Sequence, residues 1–399
     1  MSSVSHSTNT AKIALFQAGL SQNESFFVDT INMLVNSSNK MKKFVGSGNI
    51  PSYIDMSRYN PSDNQFHNSG AGPNLIDQNQ KFLDTIEAIV NMAVTNPLKV
   101  ILVRTNLTRK YDDYYNQADS ILNQKSKLLK IISEISKTSN IDIFLVGHSQ
   151  GGLVNLEAAT ECPNSIKKLI SISTPYSPVY LANTMLLVEH ISGIVGESIF
   201  QLFATVNHKD DYRDSIQILG SNNYFNSLKQ RWNGLTDRPQ LHVITGISGL
   251  LMIYSGLFCQ YFPFDGLVRL SEQRSISNAS FYDLKSSNLP CANSNGYLVN
   301  PCNTLTNDGN TCTKKSNCNL TSLNIGATLL SMLADYNESN DTENPHINAI
   351  DACLAGLEDD QSSCPSGYEN YYNIFNSIYS HGRIVISQET IAILLVLLK

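Results

Sequence analysis

The chain has 399 residues, 42% of them apolar and 16% charged, with a formal net charge of −6. Those proportions exclude a disordered or fibrous chain, and the length accommodates one large or two ordinary domains. No Lys/Arg-rich run is present, so nucleic acid is not expected as a partner.

The opening residues, MSSVSHSTNTAKIALFQAGL, have no basic segment followed by an apolar one, so no signal peptide is read there. They pass into a first core strand, Lys12–Gln17, which ends in Ala18-Gly19-Leu20. Phe27, Ile31, Leu34 and Val35 share one face of a helix predicted over Phe26–Met41. Residues 43–75 are loop-like in composition, with a short strand at Lys43–Val45. Helical periodicity returns over Ile76–Asn96 through Phe82, Ile86, Ile89, Val90 and Ala93, and Pro97 stops it. Lys99–Arg104 is a second buried strand. A long helix is predicted over Asp112–Thr138, with Ala118, Ile121, Leu122, Leu128, Leu129, Ile132 and Ile135 on its inner side.

The densest signal is Ile141–Leu153, IDIFLVGHSQGGL. An apolar strand runs into Gly147-His148-Ser149-Gln150-Gly151, and a small-and-apolar helix pattern follows at once. A strand, a G-x-S-x-G pentapeptide and a helix are the context of a nucleophile elbow. The turn is so tight that side chains two residues either side of the serine would collide, which explains both glycines. The bland alternative is a Gly-rich strand-to-helix turn that binds phosphate or nothing.

Lys167–Ser173 is the next strand, and alternation of strands and helices predicts a mostly parallel sheet with right-handed crossovers. Residues 176–236 interrupt that rhythm with a mostly helical stretch, very apolar over Leu181–Val206, whose periodicity fits ordinary buried helices as well as a cap or lid. Gln240–Gly246 resumes the sheet, Ile247–Phe264 is a broken apolar run, and Asn278–Leu284 is strand-like. Ile384–Leu398 closes the chain as a helix with its apolar residues inward. No apolar run is long enough for a membrane span, at about 20 residues.

Six of the eight cysteines crowd together as Cys291, Cys302, Cys312, Cys318, Cys353 and Cys364, in an Asn/Ser-rich insertion over 286–371. Their spacing is not that of a zinc ribbon, and no metal is expected. An even-numbered cluster in a loop-rich stretch favours disulfides and an oxidising, extracytoplasmic compartment, whereas the missing leader favours the cytoplasm. Compartment stays open on these grounds.

A serine hydroxyl needs a base within hydrogen-bond reach, itself oriented by a carboxylate. The order Ser, then Asp or Glu, then His leaves His346 and His381 as bases and sets aside His190, His208 and His242. His381 lies in a loop just before the terminal helix and is preferred; His346 sits within the insertion. Asp265, in a D-G-x-V turn after the apolar run, is the preferred acid, with Asp283 as the alternative.

VGHSQGG, the following STP, the FDGLV turn and the terminal SHG-then-helix resemble those of α/β-hydrolase lipases and esterases. The resemblance covers residues 12–285 and 372–399. It implies an α/β-hydrolase catalytic domain over 1–285 plus 372–399, with helices flanking a mostly parallel central sheet, a cap at 176–236 and the insertion at 286–371 outside it. It makes Ser149 the nucleophile, Asp265 the orienting acid and His381 the base. The backbone N–H groups of Gln150 and Leu20 become the oxyanion hole. Where many such hydrolases have an H-G turn, this chain has Ala18-Gly19, which leaves Gln17 as a rival contributor. No cofactor is implied. Leu181–Val206 and Ile247–Phe264, both apolar, flank the elbow in this fold and suit an acyl chain, so the expected substrate is a lipid or other apolar ester, with transient contact at a lipid interface. A thioesterase or acyltransferase using the same residues, or a binding protein on a catalytically silent hydrolase fold, are the alternatives.

Overall fold

The computed structural model describes residues 10–20, 22, 24–67, 75–108, 119–180, 182, 213–255, 258–265, 267–285, 302–305, 312–314, 322–323 and 380–399. In chain order the elements are β1 (Ala11–Gln17), α1 (Val28–Ser37), β2 (Met41–Lys43), β3 (Tyr53–Asp55), β4 (Tyr59–Asn60), β5 (Gln65–Phe66), α2 (Leu75–Thr95), β6 (Val100–Asn106), α3 (Ile121–Ile135), β7 (Ile141–His148), α4 (Gln150–Glu161) and β8 (Lys168–Ile172). They continue with α5 (Arg213–Gly220), α6 (Asn222–Gly234), β9 (Gln240–Ile247), β10 (Gly249–Ser255), β11 (Phe258–Phe264), α7 (Leu270–Gln273), β12 (Ala279–Lys285), β13 (Cys302–Leu305), β14 (Cys312–Lys314), β15 (Ser322–Leu323) and α8 (Gln388–Leu397).

The chain forms two compact units, one of residues 1–171, 228–242 and 388–399, the other of residues 172–227 and 243–387. In the first, the strands lie in the order β8-β7-β1-β6-β2, with β3 also on β6 and the start of β9 beside β8. The pairs β1–β7, β1–β6, β2–β6 and β3–β6 are all parallel. Parallel strands are covered by helices on both faces and so read as unbroken apolar runs. Here Ile13, Ala14 and Leu15 of β1 and Ile143, Leu145 and Val146 of β7 are all buried. In the second unit, the rest of β9 pairs with β12. A separate sheet there has the order β13-β14-β11-β10-β15. This sheet order, with a serine turn after β7, is the α/β-hydrolase fold.

Several local expectations shift. The helix predicted over Phe26–Met41 spans Val28–Ser37, and the short strand falls at Met41–Lys43. Residues 112–118 of the helix predicted over Asp112–Thr138 lie outside the described residues, and α3 spans Ile121–Ile135, where the Ser120 hydroxyl caps it by accepting the Asn123 N–H at 3.2 Å. Leu122, assigned to its inner side, is 47% exposed, because Ile121, Leu128, Ile131, Ile132 and Ile135 already fill the buried stripe. The terminal segment is a 3₁₀ turn over Ile384–Ile386 followed by α8, whose Val396 is 68% exposed. Ile247–Phe264 becomes the antiparallel hairpin β10–β11, in register from Gly249 opposite Phe264 to Ser255 opposite Phe258. Among the described residues no helix is long and apolar enough to cross a membrane. Most of Leu181–Val206 and most of the cysteine-rich insertion lie outside the described residues.

One ion pair ties the helix that follows the serine turn to its surroundings. Glu157 of α4 is buried and takes two bonds from Arg231 of α6, both at 2.8 Å. The Arg231 side chain is 41% exposed while that of Glu157 is 1% exposed, so removing the arginine strands a buried carboxylate beside solvent, at a cost below that of a fully buried pair. Arg231→Ala should therefore lower the urea midpoint markedly, whereas Glu157→Gln, which removes the stranded charge, should cost less. Equal losses in the two variants would contradict that reading.

Candidate active site

Ser149 stands between β7 and α4 with φ 52° and ψ −124°. An L-residue rarely adopts such a backbone, and strain of this kind costs about 1–3 kcal/mol. The neighbours enforce it. A β-carbon at Gly151 would lie 2.5 Å from the Gln17 carbonyl oxygen, and one at Gly147 would lie 2.6 Å from the Gly151 carbonyl. Only hydrogen fits at either place, so the pentapeptide folds into the sharp turn its letters predict. Gln17 and Gly147 are opposite one another in the β1–β7 register, so the loops after both strands leave the same edge of the sheet. Ligands of open α/β sheets bind beyond that carboxyl edge.

Gln150 opens α4, and the Gly152 N–H bonds back to the Ser149 carbonyl at 3.0 Å. The first amides of a helix have no intrahelical acceptor and carry the positive end of its dipole, which suits a developing oxyanion. The Gln17 side chain is buried beneath the turn, its amide nitrogen directed at Asn155 Oδ1 (2.9 Å) and the Val146 and Leu15 carbonyls (3.0 Å each). Gln17 therefore supports the core under the serine and has no side chain to offer an oxyanion.

The second unit brings Asp265 and His381 together. His381 Nδ1 lies 2.9 Å from Asp265 Oδ2, and the His381 N–H donates to the Asp265 carbonyl at 2.7 Å. Asp265 is fully buried and His381 nearly so. The carboxylate is held on every side. Its Oδ1 accepts the N–H groups of Leu267 (3.0 Å) and Val268 (2.8 Å), and its Oδ2 accepts Gln273 Nε2 at 3.2 Å as well as the histidine. Because a carboxylate only accepts, His381 donates from Nδ1, and its Nε2 is left as the basic nitrogen.

Asp283 is placed otherwise. It lies on β12, accepts the Thr245 hydroxyl at 2.8 Å, faces Arg274 at 3.3 Å and is partly open to solvent. His242 lies half-buried in β9, with burial and then Lys168 lowering its pKa. His346 lies outside the described residues.

Two groups around the acid carry no sequence signal. Gln273, on the short α7, donates to Asp265 while its Oε1 accepts the Gly246 N–H at 3.2 Å. Glu272 beside it is buried, accepts the N–H groups of Tyr180 and Arg269 at 2.8 Å each, and bonds Arg269 Nε at 2.6 Å. Burial pushes its carboxyl up, and the Arg269 charge pulls it part of the way back. Gln273→Glu places a second negative charge beside Asp265, and another anion there favours the cationic form of His381, whose protonation shapes the acid limb. The acid limb of the kcat/KM profile should move upward, with Gln273→Met lowering kcat and leaving that limb in place. An unmoved acid limb in Gln273→Glu would show that Gln273 does not govern the acid.

No protein-family model and no curated protein sequence matches the chain. Solved structures do. The chain is similar to the mature form of the Bacillus licheniformis lipase BlEst2, at 13% identity and TM-score 0.38, over 70% of this chain and 84% of that one. It is similar to 2-hydroxy-6-oxo-6-phenylhexa-2,4-dienoate hydrolase from Rhodococcus sp. strain RHA1, at 13% identity and TM-score 0.33, over 69% and 83%. It is likewise similar to the monoacylglycerol lipase of Paleococcus ferrophilus, at 10% identity and TM-score 0.32, over 69% and 84%.

Proposed function

We propose that the protein is a serine ester hydrolase in which Ser149 is the nucleophile, His381 the general base and Asp265 its orienting acid. The observation that carries this reading is Ser149 held at φ 52° between a parallel strand and a helix N-terminus. The buried Asp265–His381 bond supplies the other half of the chemistry. In the acylation step the Ser149 oxygen attacks the ester carbonyl while His381 Nε2 takes its proton. The negative charge gathers on the carbonyl oxygen, against the backbone N–H groups of Gln150 and Leu20. The tetrahedral adduct collapses with the same proton passing to the departing alcohol. Water then repeats the sequence on the acyl-enzyme and releases the acid. Asp265 keeps the Nδ1 proton in place and balances the imidazolium that forms each time.

The substrate class follows from the apolar sequence over Leu181–Val206 and Ile247–Phe264, which favours an acyl chain over a charged handle. A fluorophosphonate should label the protein at Ser149 alone among its serines. Turnover of p-nitrophenyl esters should rise from acetate to octanoate, since each buried CH₂ contributes about 0.8 kcal/mol, roughly fourfold. Absence of labelling would remove the enzymatic reading and leave a hydrolase-fold binding protein. Faster turnover of acyl-CoA than of the matching ester would move the substrate to thioesters.

A further inference from the structure

The loop beside the serine lacks the histidine of an H-G turn, yet it is held in place. A β-carbon at Gly19 would lie 2.9 Å from Ser149 Cβ and 3.1 Å from the His148 carbonyl, so the Ala18–Leu20 segment runs directly against the nucleophile. Gln22 closes this loop on itself: the Gly19 N–H donates to Gln22 Oε1 at 2.9 Å, and the Gln22 N–H donates back to the Gly19 carbonyl at 3.3 Å. The same Oε1 lies 3.0 Å from His148 Nδ1. Because Gly19 N–H can only donate, the atom facing it is the amide oxygen. An oxygen already accepting there obliges His148 to donate, which sets its Nδ1–H tautomer. His148 is fully buried, with the Phe26 ring 4.7 Å away centre to centre. On the far side, the Thr108 hydroxyl donates to the Gln22 carbonyl at 2.8 Å.

We infer that Gln22 is a positioning residue for the ester hydrolysis: its Oε1, shared by Gly19 and His148, locks the oxyanion loop to the residue immediately before the nucleophile. This rests on the reading of Ser149 as nucleophile. The lock commits the Gly19 N–H to Gln22, so the loop's amide for the oxyanion is the next one, Leu20. The brace enters from four residues downstream of position 18, and its other anchor lies 126 residues further along the chain. An oxyanion donor is effective only when its position is set before charge develops, and removing one costs about 10²–10³ in kcat. Loosening a loop that carries one should cost part of that.

The test compares Gln22→Ala, which removes the acceptor, with Gln22→Glu, which keeps an oxygen acceptor in the same place. Each is measured on a p-nitrophenyl ester for kcat and KM and by thermal unfolding. Gln22→Ala should lower kcat about 10- to 100-fold with KM within about twofold, and Gln22→Glu should recover to within about fivefold of the parent. A role confined to stability would lower the unfolding temperature and spare kcat in the folded fraction. That outcome, or kcat in Gln22→Ala within about twofold of the parent, overturns the inference. If Gln22→Ala does not fold, the other end of the bond gives the same comparison. His148→Asn, whose amide nitrogen stands where Nδ1 does, should retain kcat, and His148→Phe should lose it; equal kcat in the two overturns the inference. Fluorophosphonate labelling of the parent keeps the two ideas apart. An unlabelled Ser149 rejects the nucleophile itself, whereas a labelled parent with an indifferent Gln22→Ala rejects only the lock.

Discussion

Ser149→Ala should abolish ester turnover, with kcat falling about 10⁵-fold or more, which is about 7 kcal/mol of barrier. The alanine has no atom to form the acyl-enzyme, and what survives is the rate that binding and oxyanion donors confer on water. The fold should be untouched. Ser149 adopts φ 52° because the strand-to-helix turn imposes it, and alanine inherits the same strain without adding to it. Ser149→Gly separates the two effects: it too should be inactive, yet more stable by about 1 kcal/mol, because glycine populates that backbone region freely. Activity within tenfold of the parent in Ser149→Ala would remove this serine from the chemistry. Unchanged stability in Ser149→Gly would mean that the turn stores no strain.

Asp265→Asn should be the second most damaging change, lowering kcat/KM about 10³- to 10⁴-fold. Asparagine keeps the shape but brings an NH₂ into a site built entirely of donors. Its oxygen can satisfy Leu267 and Val268 as Oδ1 does now, in which case the NH₂ faces Gln273 Nε2 and His381 Nδ1. The histidine must then accept at Nδ1 and carry its proton on Nε2, the nitrogen required as the base. Catalysis is lost through the tautomer while the chain stays folded. Asp283→Asn is the matched control, because Asp283 bonds Thr245 and Arg274, and activity there should stay within about twofold. A large loss in Asp283→Asn with an active Asp265→Asn would reverse the assignment of the acid.

The elements that the sequence makes legible are the ones whose causes are local. The elbow needs a buried strand, two glycines and a helix within thirteen consecutive residues, Ile141–Leu153, and each of those leaves a mark on the string of letters. Strands such as Ala11–Gln17 and Val100–Asn106 stand out as apolar runs because parallel strands are buried on both faces. Helix ends are harder. Asp112–Thr138 has one continuous apolar pattern, yet the helix starts at the Ser120 cap, where a side-chain hydrogen bond decides the boundary rather than the periodicity. Ile247–Phe264 is a broken apolar run with no clear helical or strand period, so its letters do not distinguish a helix from the hairpin that forms.

Serine 149 at the tip of its strand was determined by the sequence alone, together with the short set of acids and histidines that follow it in chain order. Only the tertiary structure decided which carboxylate meets His381, since Asp265 and His381 stand 116 residues apart and Asp283 lies nearer along the chain. Only it revealed Gln273 under the acid and Gln22 against the serine loop. The physical reason is common to all three. A side-chain hydrogen bond outside the helix and strand ladders, whether it spans 8, 116 or 126 residues, has no period and no preferred spacing. A glutamine that braces an active-site loop looks, as a letter, like any glutamine on the surface.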